Sequence, residues 1–365
     1  MAVPSFGAAT TMPSQANDEP AAAGGGKNMV HNKQGIDMLH GRIWTKVLRF
    51  ALPVAATGIL EQLFNASGIM IVGNFSQSDG TAAVAAVGSN APVTGLILNL
   101  FIGIALGANV VIANAIGRGS REAVRNAVHT SIVTALIGGV IVAIIGELLA
   151  GPLLGMLNVT ADVFPLALAY LRIYLIGMPV ILLYNFETAI FRSIGDTQAP
   201  LAVLAISGVL NVTMGLIFVV LFHWGVSGVA TATVIANVVS SMILLYRLVH
   251  TDAAIHVDLR ELGIDWFTLR QILRIGLPAG VQSAVFAVAN IIIQAAINSL
   301  GTVVMAASSA AFNIEIIAYD VLNSFSQACT TFVGQNYGAG KIDRCKKTML
   351  LSLGEDIIAS AIAIV

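Results

Sequence analysis

Apolar residues in this chain come in long unbroken runs, with little of the alternation or one-faced periodicity of a soluble fold. Nine runs follow a polar beginning, at about residues 44–73, 84–116, 124–149, 164–191, 199–222, 226–249, 268–298, 303–335 and 348–365. Each is close to or longer than the ~20 residues of helix that cross a bilayer. Runs apolar on every face are what spanning helices show. The pattern predicts an all-α integral membrane protein. Within the first run, VLRFALPVAATGILEQLFNASGIMIVG, stands a carboxylate, Glu61. An acid at such depth is costly and rarely kept without a use.

The first run returns later in the chain. Leu48, Arg49, Leu52, Pro53 and Asn65 match Leu273, Arg274, Leu277, Pro278 and Asn290, all at an offset of 225. Beyond a far-side loop four residues shorter in the second copy, the match continues at an offset of 221. There Gly117, Gly119, Glu122 and Arg125 meet Gly338, Gly340, Asp343 and Lys346. Six spans separate the copies, and an even number preserves orientation. The repeat is therefore parallel, about an axis along the membrane normal. Two six-helix bundles follow, at 42–249 and 268–365, joined by a cytoplasmic linker at 250–267. A full duplication gives twelve spans. This chain holds about nine, Val365 maps onto Ile144 inside the third span, and the second bundle reads as incomplete, so a C-terminally truncated chain is expected.

Charge orients the bundle. Of the 18 Lys and Arg residues, 17 fall in or beside alternate connections, and the loops at 74–83, 150–163, 223–225 and 299–302 have none. Arg172 is the exception, inside a span. The positive-inside rule then places the N-terminus in the cytoplasm, with the chain in the plasma or inner membrane. Residues 1–41, with Gly24 to Gly26, are expected to be a disordered cytoplasmic tail. Only 10% of the residues are charged, against about a quarter in soluble domains. A net charge of −1 argues against a nucleic-acid partner. Cys329 and Cys345 fit neither a disulfide nor a metal site. There is no phosphate-binding glycine loop followed by Lys-Ser/Thr, no ligand cluster and no nucleophile triad, so neither an enzyme nor an ATP-driven pump is indicated, and no cofactor is expected.

Five stretches together resemble the MATE (multidrug and toxic compound extrusion) family over residues 40–365. They are ALPVAATGILEQLFNASGIMIVGNF in the first span, FRSIGDTQAP at 191–200, GVSGVATATVIAN at 225–237, GLPAG opening the seventh span and VGQNYGAGK at 333–341. The resemblance implies a two-lobed secondary antiporter working by alternating access. It would export amphipathic, often cationic organic compounds in exchange for H⁺ or Na⁺. The family often builds a cation site from the first, fifth and sixth spans. Here its two acidic positions fall on Gly68 and Gly215, while Asn211 and Thr233 are kept. Its coupling glutamate in the seventh span falls on Phe286, whereas Glu61 stands eight residues after Pro53 on the symmetry-related helix.

The candidate coupling and cavity residues are Glu61, Asn65, Asn211, Thr233, Asn237, Asp320, Glu315 and Asn323. Glu61 shares a helical face with Thr57, Asn65 and Gly68, and could hold a proton or a Na⁺ ion. The structural alternative is a glutamate bonded between helices. Asp320 shares a stripe with Asn313, Asn323 and Gln327, which predicts a cavity lining or an interhelical polar network. Glu315 lies about 140° round the same helix. Glu187, five residues before Arg192, is expected to form a local ion pair with it. Ser207 with Asn211, and Thr233 with Asn237, are polar pairs one turn apart. Pro53 and Pro278 are candidate bending points. Arg118, Arg121 and Arg125 read as cytoplasmic anchors, His223 and Trp224 as interface residues, and Asn158 as part of an unused sequon. The expected partners are the bilayer and a small cationic substrate, with the chain acting as a monomer. A lipid-linked-sugar flippase and a non-transporting truncated remnant are the alternatives.

Overall fold

The structure is a computed structural model that describes residues 35–76, 80–157, 159–298 and 302–364. Ten α-helices account for nearly all of them: α1 Ile43–Phe75, α2 Gly80–Arg118, α3 Arg121–Met156, α4 Phe164–Ile176, α5 Met178–Ser193, α6 Gln198–Leu216, α7 Gly225–His250, α8 Trp266–Asn298, α9 Thr302–Gly338 and α10 Ile342–Ile364. α6 ends in a π-helical turn, Ile217–Leu221. Asn158 and the side chain of Asn313 lie outside the described residues.

Six helices are long and apolar enough to span a bilayer among the described residues, and α4 with α5 makes a seventh. The fourth apolar run is not one straight helix. It bends by 53° between α4 and α5. Gly177 sits at the joint and Pro179 opens α5, where its ring has no N–H to give the preceding turn. α9 and α10, of 37 and 23 residues, complete the nine expected runs. They are long enough to cross, but carry Glu315 and Asp320, and Glu355 and Asp356. By contrast, α1 and α8 run through Pro53 and Pro278 unbroken.

α2 is the spine. Its Gly103 and Gly107 lie against Gly276 and Gly280 of α8 so closely that a Cβ on Gly103 would stand 2.1 Å from the Gly280 nitrogen. A Cβ on Gly107 would stand 2.4 Å from the Ile272 carbonyl oxygen. Small residues four apart on both helices are the membrane device for backbone-to-backbone packing. At its basic end α2 meets α9 in the same way. A Cβ on Gly117 would be 2.0 Å from the Gln335 oxygen, and one on Gly338 would be 2.1 Å from the Asn114 oxygen. The offset of 221 that carries Gly117 to Gly338 also carries Asn114 to Gln335. The two contacts are images of each other, so the repeat read from the sequence is a two-fold relation passing between α2 and α9. The α1–α9 and α2–α8 contacts are paired by the same relation.

The basic side is closed. Phe50 and Phe332 meet edge to face with centroids 6.1 Å apart, inside a buried cluster of Met38, Ile43, Val47, Val54, Phe325 and Ala328. The tail expected through residue 41 is held where it is described. Arg344 donates to the carbonyls of Met38, His40 and Gly41 at 2.9–3.1 Å, Lys341 to Leu39 at 2.9 Å and Asn336 to Met38 at 3.1 Å. Gly195, in the FRSIGDTQAP turn, has φ 82°, and a Cβ there would strike the Ile36 nitrogen and Met38 Cε at 2.9 Å. Asp196 Oδ1 then accepts from the Ala199 nitrogen at 3.0 Å, starting α6. Between α7 and α8 the linker lies along α3. Arg125 pairs with Glu261 at 2.9 Å, and the amides of Asp258 and Asp265 donate to His129 and Thr130. Asp265 caps α8, and the hydrogen bond from the Thr268 hydroxyl holds its carboxyl below the usual carboxylate range.

A matched pair of substitutions checks the spine. Gly103→Ala forces backbone apart and is expected to cost about 1–3 kcal/mol in thermal unfolding of the detergent-solubilised protein. Gly95→Ala, on the same helix and with no atom within 4 Å of where its methyl group would stand, is expected to be neutral or stabilising. Equal effects would contradict the packing argument.

Candidate functional site

Three helices bring ionisable side chains to one seam. α1 contributes Glu61 and Gln62, α5 contributes Arg192, and α9 contributes Asp320 and Gln327. Glu61 is exposed on α1, and the charged groups that act on its carboxyl electrostatically are Arg192 of α5 and Asp320 of α9. Asp320 lies against α1 because residue 58 is glycine: a Cβ there would stand 2.9 Å from Asp320 Cγ. Gln62 faces the Asp320 carboxyl, whose Oδ2 is buried without a hydrogen-bond partner.

Arg192 does not pair with Glu187. Its Nη1 donates to Gln327 Oε1 across the seam at 2.6 Å. Glu187 is turned the other way, 0% exposed, with neither carboxylate oxygen accepting a hydrogen bond and Ser241 of α7 as its polar neighbour. Their separation of five residues puts them about 140° apart on the helix, which is why they diverge. Toward the basic side the α9 stripe continues every fourth residue. Thr331 donates to Asn109 Oδ1 at 3.0 Å, Asn109 to the Ala189 carbonyl at 3.1 Å, and Gln335 to the Ser193 carbonyl at 2.7 Å. Among the described residues, hydrogen bonds that join α9 and α10 to the earlier chain lie at Asp320 and toward the basic side. None lies beyond it. Asp320 sits at the inner end of these bonds, one turn of α1 from Glu61 through its contact at Gly58.

The other candidates divide. Asn65 is exposed one turn beyond Glu61, while Thr57, one turn before, is 3% exposed and spends its hydroxyl on the Pro53 carbonyl at 2.8 Å. Asn323 lies half-buried near Asp320, and Glu315 is exposed on a different face. Thr233 and Asn237 donate to carbonyls of their own helix, at 3.0 and 2.9 Å. Asn211 is half-buried on α6. Arg172 pairs at 3.5 Å with Glu147 of α3. Among the described residues no cluster of three or more His, Cys, Asp or Glu is arranged to hold a metal ion.

A family model described as MatE matches residues 53–217 and 278–365. The chain belongs to the MATE family. Both matched segments begin at the repeated proline, Pro53 and Pro278. The chain is 26% identical to the probable multidrug resistance protein YoeA of Bacillus subtilis, over 88% of this chain and 71% of that one. It is also 26% identical to the FAD transporter of Shewanella oneidensis, over 82% and 69%. A MATE transporter solved in its bent conformation superposes with a TM-score of 0.82 at 25% identity, over 90% of this chain and 72% of that one. A MOP-superfamily transporter of Pyrococcus furiosus, titled for the reverse polarity of its binding pocket, gives 0.83 at 25% identity, over 91% and 73%. MATE proteins are ion-coupled membrane transporters, not enzymes.

The positions where the MATE resemblance looks for N-terminal acids are apolar contacts here. A Cβ on Gly68 would meet Val229 at 3.2 Å, and one on Gly215 would meet Ile71 and Ala232 at 3.5 and 4.0 Å. The charged groups gather instead on α1, α5 and α9, with two acids and one base. Sequence reasoning had singled out both acids but missed Gly58, Gln62 and the inward turn of Arg192. The four-residue spacing of Gln327, Thr331 and Gln335 was the available signal for the seam.

The Gly58–Asp320 contact gives a testable coupling. Gly58→Val is expected to lose about 1–3 kcal/mol of stability by overpacking. Asp320→Ala in the same protein should recover most of that loss, because the contact is with the Asp320 side chain. Additive losses in a double-mutant cycle would show that Gly58 does not make room for Asp320.

Proposed function

We propose that this MATE protein is an antiporter that exports amphipathic cationic organic compounds in exchange for H⁺ or Na⁺, with Glu61 as the coupling carboxylate. The observation that carries the reading is the grouping of Glu61, Asp320 and Arg192 on α1, α9 and α5, along a seam that hydrogen bonds join on the basic side. Two acids against one base leave negative charge for a cation to neutralise. An intramembrane acid beside a second helix is where protonation or Na⁺ binding can alter the electrostatics of both helices at once. The reading further assigns residues 42–249 and 268–365 to two lobes that rock about the α2–α8 and α2–α9 contacts. The basic side and the N-terminus are cytoplasmic by the positive-inside rule, so this arrangement faces outward. Asp320, Asn323 and Asn65 line the substrate space, and Glu315 stands toward its outer end. Pro53 and Pro278 are the bending points when the seam opens, and the chain works as a monomer. The flippase alternative calls for several cavity arginines, and among the described residues the seam around Glu61 holds Arg192 alone.

Efflux of a fluorescent cationic dye from cells expressing the protein tests this reading. Export should collapse on adding a protonophore or on removing Na⁺, and Glu61→Gln should lower it by about tenfold or more. Ion-dependent export at full rate in Glu61→Gln would move coupling away from α1.

A further inference from the structure

We propose that residues 36–41 form a strap between the lobes, which holds the basic side shut and has to leave α9 and α10 before that side opens. The inference rests on the two-lobe rocking proposed above and names the bonds that resist it. The segment leads into α1 of the first lobe, yet most of its side-chain donors belong to the second. Five consecutive backbone carbonyls, from Asp37 to Gly41, each accept from a side chain. Lys46 of α1 donates to Asp37 and His40. The other donors are Asn336 near the end of α9, Lys341 in the turn after it and Arg344 at the start of α10. Arg344 alone reaches the carbonyls of Met38, His40 and Gly41. Met38 is 0% exposed, in the cluster that holds Phe50 of α1 and Phe332 of α9. On the other side the segment lies on Gly195, in the α5–α6 turn of the first lobe, with no room for a Cβ there. Gly41, at φ 71°, makes the corner into α1. The strap is seated across the junction of the lobes.

The repeat supplies a counterpart. At the offset of 225, residues 36–41 fall on 261–266, the lead-in to α8, and at the offset of 221 the start of α3 falls on the start of α10. The lead-in to α8 belongs to the second lobe and is bonded to α3 of the first. Glu261 pairs with Arg125 at 2.9 Å, and the Asp265 amide donates to Thr130 at 3.0 Å. Each lobe's lead-in thus crosses to the other lobe, in positions related by the two-fold. Opening the basic side parts α1 and α3 from α9 and α10. The strap is tied to α1 by the chain at Gly41 and by Lys46, so the bonds from Asn336, Lys341 and Arg344 break together when the lobes part. Hydrogen bonds from charged donors are the stronger kind. The strap therefore biases the protein toward the form closed on the basic side, and its release favours the form open there.

The test follows the strap and the lobes separately. Cys329 and Cys345 are replaced by Ser, and pulsed electron–electron distances are recorded in nanodiscs with and without a cationic dye. One pair of spin labels, at Glu122 and Lys346, exposed residues near the starts of α3 and α10, reports opening of the basic side. A second pair, at the exposed His40 and at Lys346, reports whether the strap stays on α10. The otherwise unaltered protein should show mainly short distances in both pairs, and dye should lengthen both in step. Arg344→Ala should raise the ratio of long to short Glu122–Lys346 distances about tenfold and lengthen the His40–Lys346 pair with it. Arg260→Gln, which removes an exposed linker arginine, should match the unaltered protein. Should Arg344→Ala fail to insert, Lys341→Ala decides, with a smaller rise expected and no rise overturning the proposal. Lobes that open while the His40–Lys346 distance stays short, or an Arg344→Ala protein as closed as its parent, also overturn it. The two readings fail differently. A Glu122–Lys346 distance that stays short in every variant and with dye defeats the rocking of the lobes and this inference together. One that lengthens with dye but is unmoved by Arg344→Ala defeats only the strap.

Discussion

The backbone of α2 lies directly on the backbones of α8 and α9, and the rest of the structure depends on that approach. Lipid offers helices little hydrophobic reason to associate, so close packing of small residues has to hold them. Gly103 and Gly107 meet Gly276 and Gly280, while Gly117 and Gly338 meet each other's helices in contacts related by the two-fold. These contacts fix how near α9 stands to α1 and α5. A separation larger by one methyl group would carry Asp320 and Gln327 away from Gln62 and Arg192. The same contacts lie beside the two-fold relation between the repeats, where a rocking motion changes distances least.

Charge is placed on this frame economically. Ionisable groups are costly inside a bilayer, and the chain gathers Glu61, Asp320 and Arg192 where each can offset another. Arg172 and Glu147 form a separate pair. Glu187 follows a different rule, enclosed with neither oxygen hydrogen-bonded. The seam thus gathers charges from α1, α5 and α9. Hydrogen bonds from Asp320 to Arg344 close one end of that seam and leave the other free of them among the described residues.

Much of this was legible in the sequence, for identifiable reasons. Hydrophobic run length is a direct record of the bilayer, so the spans were readable, and the repeated LRxxLP unit gave their relation. Glu61 and Asp320 stood out because acids are rare in such runs. The bend at Gly177 was not readable, because apolar composition is the same on both sides of it. Arg192 was expected to pair with Glu187 from their closeness in sequence, but five residues put them about 140° apart on the helix. Gly58 has no local signature, since the side chain it accommodates belongs to a helix far along the chain. Thr233 and Asn237 kept the residue types of a polar site, yet each bonds to its own helix.

The central claim is that Glu61 exchanges a coupling ion against substrate, and ion flux driven by substrate measures that without intermediates. Proteoliposomes would carry a trapped pH or Na⁺ indicator, and an outward gradient of a cationic dye would be imposed. The account requires a counterflow of H⁺ or Na⁺ that depends on the dye and disappears in Glu61→Gln, with dye binding retained. Dye-driven ion flux persisting in Glu61→Gln would contradict it.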